Sequence, residues 1–146
     1  MPDLNPQVLG QAENAHRAIL GRILAGTGLS YHGWVAVRLI AAAGDAGADR
    51  KRLIDQMAGG LKISGSGARA AVDGLGAAGL LETLPDGPGR RIRLSAAGQE
   101  VYRRARGEID RVMARMYGDI PPGDLATAGR VLTVLTDRAN AELARA

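Results

Sequence analysis

At 146 residues with 46% apolar content, the chain is sized for one domain with a packed core, not for a disordered segment. It has no cysteine, which excludes disulfides, zinc–thiolate centres and thiol nucleophiles, and no phenylalanine, so leucine, isoleucine, valine and 26 alanines must supply a core of closely packed helices. The net charge of +4 is uneven: residues 50–115 carry thirteen basic and seven acidic side chains while each flank is net −1, the pattern of a phosphate footprint or of a solvated basic face.

Apolar runs fall short of the roughly 18 residues of a membrane span, and Met1-Pro2-Asp3-Leu4-Asn5-Pro6 lacks a basic-then-apolar leader, so a cytoplasmic protein with no membrane partner is expected. Asn5-Pro6 opens a first helix, with Leu9, Ala12, His16, Ile19, Leu20 and Ile23 at helical spacing, and Gly26-Thr27-Gly28 ends it. Ser30 caps a second helix that runs through Trp34, Val37, Arg38 and Ile40 to Ala43, where Gly44-Asp45-Ala46-Gly47 breaks it. Asp49 caps a short third helix carrying Leu53, Ile54 and Met57. Gly59-Gly60 is expected to turn the chain, and Ser64 caps a fourth helix through Ala68, Ala71, Val72 and Leu75 to a stop at Gly79.

Leu80–Leu84 and Arg90–Leu94 read as two short strands around Pro85-Asp86-Gly87-Pro88-Gly89, a β-hairpin. Ser95 then caps a long helix with an apolar stripe of Val101, Ala105, Ile109, Val112, Met113 and Met116, interrupted at Gly118 to Gly123. The last helix presents Leu125, Ala128, Leu132, Leu135, Ala139 and Leu143 alternately three and four apart, a seam suited to a second subunit.

Chemistry is poorly supplied. His16 and His32 lack the carboxylate spacing of a metal site, there is no HExxH, P-loop or GxSxG arrangement, and Gly65-Ser66-Gly67 and Gly74-Leu75-Gly76 lack GxGxxG spacing. Neither an enzyme nor a cofactor is expected. The order helix, turn, helix, hairpin between long flanking helices is instead a winged helix-turn-helix, a mainly α fold with a small β-hairpin wing.

Five segments carry a family resemblance: Gly28-Leu29-Ser30 followed by Trp34, Leu61-Lys62-Ile63-Ser64, Val72-Asp73-Gly74-Leu75, Ala78-Gly79-Leu80-Leu81 and Arg93-Leu94-Ser95-Ala96-Ala97-Gly98. In this order the chain resembles the MarR family of bacterial transcriptional regulators over nearly its whole length. The resemblance implies one unit over 1–146, with a DNA-binding portion at 30–98 and helical dimerisation portions at 6–26 and 99–146. It also implies a homodimer that binds double-stranded DNA as a repressor and is released by a small aromatic effector. The alternative is a dimeric winged-helix module that has lost specific DNA binding and serves ligand or protein binding.

The candidate DNA contacts are Lys62, Ser64, Ser66 and Arg69 at the reading helix and Arg90, Arg91 and Arg93 in the wing, with Ile92 and Leu94 facing the core. Arg69 is the best single candidate for a guanine edge; a phosphate contact or a plain solvent position together compete with that role, and Asp73 at i, i+4 could instead hold it on the helix surface. In the family's wing an arginine follows an aspartate by two positions, whereas here Pro88 follows Asp86. Glycines 65, 67, 74 and 76 cost about 1 kcal/mol each relative to alanine, so the reading helix is expected to be loose until DNA or packing orders it. His16, His32, Trp34 and Arg38 are the candidate effector contacts, with core packing the competing role for Trp34.

Overall fold

A computed structural model describes residues 2–85 and 90–145, which form two compact units, Met1–Ile109 and Asp110–Ala146. The element order is α1 (Pro6–Ala25), α2 (Tyr31–Ala42), a single 3₁₀ turn (Gly44–Ala46), β1 (Ala48–Asp49), α3 (Arg50–Leu61), α4 (Gly65–Ala77), β2 (Leu81–Thr83), β3 (Arg91–Leu94), α5 (Ala96–Tyr117) and α6 (Pro122–Ala144). The expected mainly α fold with a small wing is therefore present.

The helix starts follow from side-chain caps. Asn5 accepts from the Val8 amide at 2.9 Å, Ser30 from Gly33 at 3.0 Å, Asp49 from Arg52 at 3.0 Å, Ser64 from Gly67 at 3.0 Å and Ser95 from Gly98 at 3.1 Å. Each satisfies an amide that has no partner within its helix, an effect of about 1 kcal/mol.

In the first unit, α2 forms the centre of the core through Trp34, Ala36, Val37 and Ile40. Leu24 of α1, Leu53, Ile54 and Met57 of α3, Ala68, Val72 and Leu75 of α4, and Ile92 and Leu94 of β3 close around it. Trp34 is 4% exposed and stacks on Tyr102 of α5, with ring centroids 5.7 Å apart and planes 18° from parallel.

The structure corrects two local expectations. Gly59-Gly60 does not turn the chain; both residues lie inside α3, and the turn falls at Lys62, in the left-handed region at φ 57°. The wing is also not a bare hairpin. It is an antiparallel sheet of order β1-β3-β2, with Ala48 opposite Ile92 on one side and Glu82 opposite Arg93 on the other. Gly47, at φ 81°, admits β1: a Cβ there would lie 2.7 Å from Leu84 Cδ1.

The wing base is equally tight where the chain leaves it. Ser95 donates its amide to the Leu80 carbonyl at 3.0 Å and its hydroxyl to the Gly79 carbonyl at 2.7 Å. The second unit contains the end of α5 and all of α6. None of the described α6 residues is buried, and Leu132, Val134, Leu135 and Leu143 are exposed in the single chain.

Two glycine substitutions should separate crowded from open positions. A Cβ on Gly98 would fall 2.1 Å from the Leu80 carbonyl oxygen, whereas nothing lies within 4 Å of one on Gly74. Gly98→Ala should lose about 3 kcal/mol of stability by overpacking, and Gly74→Ala should gain up to about 1 kcal/mol from helix propensity. Urea unfolding of the two variants checks both signs.

Candidate nucleic-acid interface

The helix-turn-helix is α3, Lys62-Ile63-Ser64, then α4. Its turn is closed from within, because the amides of Lys62 and Ile63 both reach the Ala58 carbonyl and the Lys62 ammonium donates to the Gly59 carbonyl at 2.8 Å. This is the capping pattern of a left-handed residue after a helix, made here by a lysine in place of the usual glycine. Past the turn, Ser64 has its oxygen engaged at the cap and also lies 3.1 Å from the Ser66 hydroxyl.

Ala68, Val72 and Leu75 turn one side of α4 into the core, which leaves Ser66, Arg69 and Asp73 exposed on the other. Arg69 faces a cleft of about 580 Å³ lined by Arg50, Lys51 and Arg52 at the start of α3 and by Arg90 at the wing base. Asp49 and Asp55 are the two carboxylates against these five basic side chains. Asp49 is occupied as the α3 cap, and Asp55 pairs with Lys51 at 3.2 Å. Three cations in the first turn of α3 oppose its helix dipole, so positive potential is concentrated at that end of the cleft.

Arg50, Lys51 and Arg52 escaped the sequence reading, although three consecutive cations directly after a helix cap were the available signal. The i, i+4 pair of Arg69 with Asp73, one of the alternatives open to Arg69, is not made. Asp73 instead pairs with Arg50 of α3 at 2.5 Å, because its side chain points towards the wing-side helix start. Among the described residues Arg69 and Arg90 have no ion-pair partner.

The three wing arginines have separate environments. Arg90 lines the cleft, and Arg91 is exposed, with its guanidinium 3.5 Å from the Ala46 carbonyl. Arg93 pairs across the sheet with Glu82 at 2.6 Å, while Ile92 and Leu94 are buried as their alternation requires. Asp86 and Pro88, the positions where the wing tip departs from the family pattern, lie outside the described residues.

The four effector candidates have four different surroundings. His16 is hydrogen-bonded through Nδ1 to the Ala12 carbonyl at 2.7 Å, His32 lies against the Tyr31 ring at 5.8 Å, Arg38 is exposed, and Trp34 is in the core. Among the described residues there is no cluster of three histidine or acidic side chains able to hold a metal ion, and no helix long and apolar enough to cross a membrane.

No family model matches the sequence, and no curated protein is significantly similar to it. Solved structures are similar in fold. A MarR-family transcriptional regulator from Silicibacter pomeroyi superposes with a TM-score of 0.69 at 24% identity, over 89% of this chain and 86% of that one. The S. aureus MepR–DNA complex gives a TM-score of 0.76 at 11% identity, over 90% and 94% of the two chains. The third, NadR in complex with 4-hydroxyphenylacetate, gives 0.71 at 22% identity, over 91% and 95%.

The chain has the winged-helix fold of the MarR regulators.

Within that fold, Lys62 occupies a position where local conformation and charge conflict. A left-handed lysine is strained by roughly 1 kcal/mol, which glycine would relieve at the cost of the ammonium group. Lys62→Gly should therefore raise the unfolding midpoint slightly while removing one cation from the turn of the helix-turn-helix. Thermal unfolding of the variant measures the effect.

Proposed function

We propose that the protein is a cytoplasmic, non-enzymatic, homodimeric transcriptional regulator that binds specific double-stranded DNA and acts as a repressor. The observation that carries this reading is the cationic cleft, in which the first helix of the helix-turn-helix, the reading helix and the wing base meet. Residues 30–98 bind DNA in this reading, and residues 6–26 and 99–146 make the dimer. Lys62, Ser66 and Arg69 meet the major groove, Ser64 orders the helix start, and Arg90, Arg91 and Arg93 follow the phosphates. The similarity to MepR, solved with DNA, supports the partner.

The similarity to NadR, solved with 4-hydroxyphenylacetate, supports a small aromatic effector, for which His16, His32 and Arg38 remain the candidate polar contacts. Trp34 serves it indirectly, through the core beneath. The unburied apolar residues of α6 support the homodimer, since a 23-residue helix with no buried side chain is a surface awaiting a partner. A second reading, a winged-helix module without sequence preference, is favoured by the scarcity of base-reading side chains in the glycine-rich first turns of α4.

Selection of genomic fragments by the purified full chain at a stated salt concentration separates the two readings. A palindromic motif supports the regulator, and sequence-blind binding or none supports the module. Arg90→Ala with Arg91→Ala should weaken binding to operator and random DNA alike and flatten the log–log salt slope by about one for each phosphate that is no longer neutralised. Arg69→Ala should instead cost about 1–3 kcal/mol at one operator position and leave random DNA almost untouched. Leu132→Glu with Leu135→Glu should give monomers in sedimentation velocity. A dimer unchanged by both charges would remove α6 from the interface.

A further inference from the structure

Arg50 sits where three elements of the winged domain converge. Its amide donates to the Arg90 carbonyl at 2.9 Å, extending the β1–β3 ladder by one residue into the wing base. Its guanidinium reaches in the other direction to Asp73 of α4, at 2.5 Å. Its side chain is 22% exposed and lies between the basic cleft and a second hollow of about 420 Å³ lined by Asp73, Thr83, Arg90 and Ile92. Asp73 is 59% exposed and one helical turn beyond Arg69 on the same side of α4.

From this geometry we infer that the Arg50–Asp73 pair is a positioning device that fixes the reading helix relative to the wing, so that Arg69 and Arg90 line one cleft. The inference rests on the DNA-binding reading. A carboxylate on the exposed side of a reading helix repels phosphates, and its presence there needs an offsetting role. Holding Arg50 supplies that role: one residue thereby ties α4 by its side chain and the wing by its backbone. An ion pair of this exposure shifts a conformational equilibrium by up to about fivefold, enough to change affinity while leaving the fold intact.

Charge removal and positioning predict opposite signs. If Asp73 acts only as a repelling charge, Asp73→Asn tightens binding to operator and random DNA. If it positions the helix, Asp73→Asn weakens operator binding by about three- to fivefold and spares random DNA. The exchanged pair, Arg50→Asp with Asp73→Arg, keeps the net charge and should recover much of the affinity. Amide hydrogen exchange on the free full-length protein gives a readout that needs no DNA. In Asp73→Asn the amides of Arg50 and Leu84, which bond to the wing strand, should exchange about three- to fivefold faster while those of α2 stay unchanged. Unchanged Arg50 exchange in Asp73→Asn, or equally weak operator binding by the single and exchanged variants, overturns the inference. Failure of the wild type to select any operator defeats the DNA-binding reading instead, and the exchange data still decide the coupling.

Discussion

Ala68, Val72 and Leu75 clamp α4 against α2 and α3, and what the domain offers to a partner follows from that packing. All three are buried, Ala68 and Val72 completely. Burying a valine or leucine stabilises by roughly 1.5–3 kcal/mol, comparable with the cost of two helical glycines, so packing orders a helix whose own composition argues against it. The glycines at 65, 74 and 76 face open space, and they thin the outer side of α4 without weakening its hold on the core. A backbone with little side-chain cover can approach a base edge or phosphate closely, which suits the proposed entry of α4 into a groove.

The wing depends on the same core from its other end. Ile92 and Leu94 are buried beside α2, and this fixes which side of β3 faces outwards. Gly98 then lets α5 start against the Leu80 carbonyl, while Ser95 holds both Gly79 and Leu80. The wing base is therefore pinned by its incoming and outgoing chain, and β1 pins it a third time through Ala48 and Asp49. Arg90 and Arg91 project from this fixed base, which gives their charges a defined position.

What was legible in the sequence was local. Asn5, Ser30, Asp49, Ser64 and Ser95 act as caps because each offers an oxygen three residues before an otherwise unpaired amide, a relation contained within four residues of chain. The alternation of Arg91, Ile92, Arg93 and Leu94 was legible for the same reason. Two features were not. A strand of two residues has no periodicity to read, and β1 exists only because β3, more than forty residues away, offers it a ladder. Gly59-Gly60 looks like a turn, yet α3 continues through it because Ala58 can accept from the amides beyond. The cleft was half legible. Arg69 and Arg90 were singled out, but their meeting with Arg50, Lys51 and Arg52 depends on the packing angle between α3 and α4.

The total charge of the middle segment overstates what is available to phosphates. Arg93 is matched by Glu82 and Arg103 by Glu100, which neutralises part of the excess inside the domain. The cleft is cancelled only in part: Asp55 pairs with Lys51 and Asp73 with Arg50, whereas Asp49 is engaged as a helix cap and, among the described residues, Arg69 and Arg90 have no ion-pair partner. In the proposed DNA-binding reading, a single cleft with Arg69 as its main base reader gives limited discrimination. In the proposed homodimer, two-fold symmetry duplicates the cleft, and the binding free energies of two half-sites combine on one palindrome. Modest readers become specific when used twice at a fixed spacing. Under that proposal the unburied leucines of α6 and the sparse outer side of α4 are two consequences of one arrangement, in which the dimer supplies the specificity that a single domain lacks.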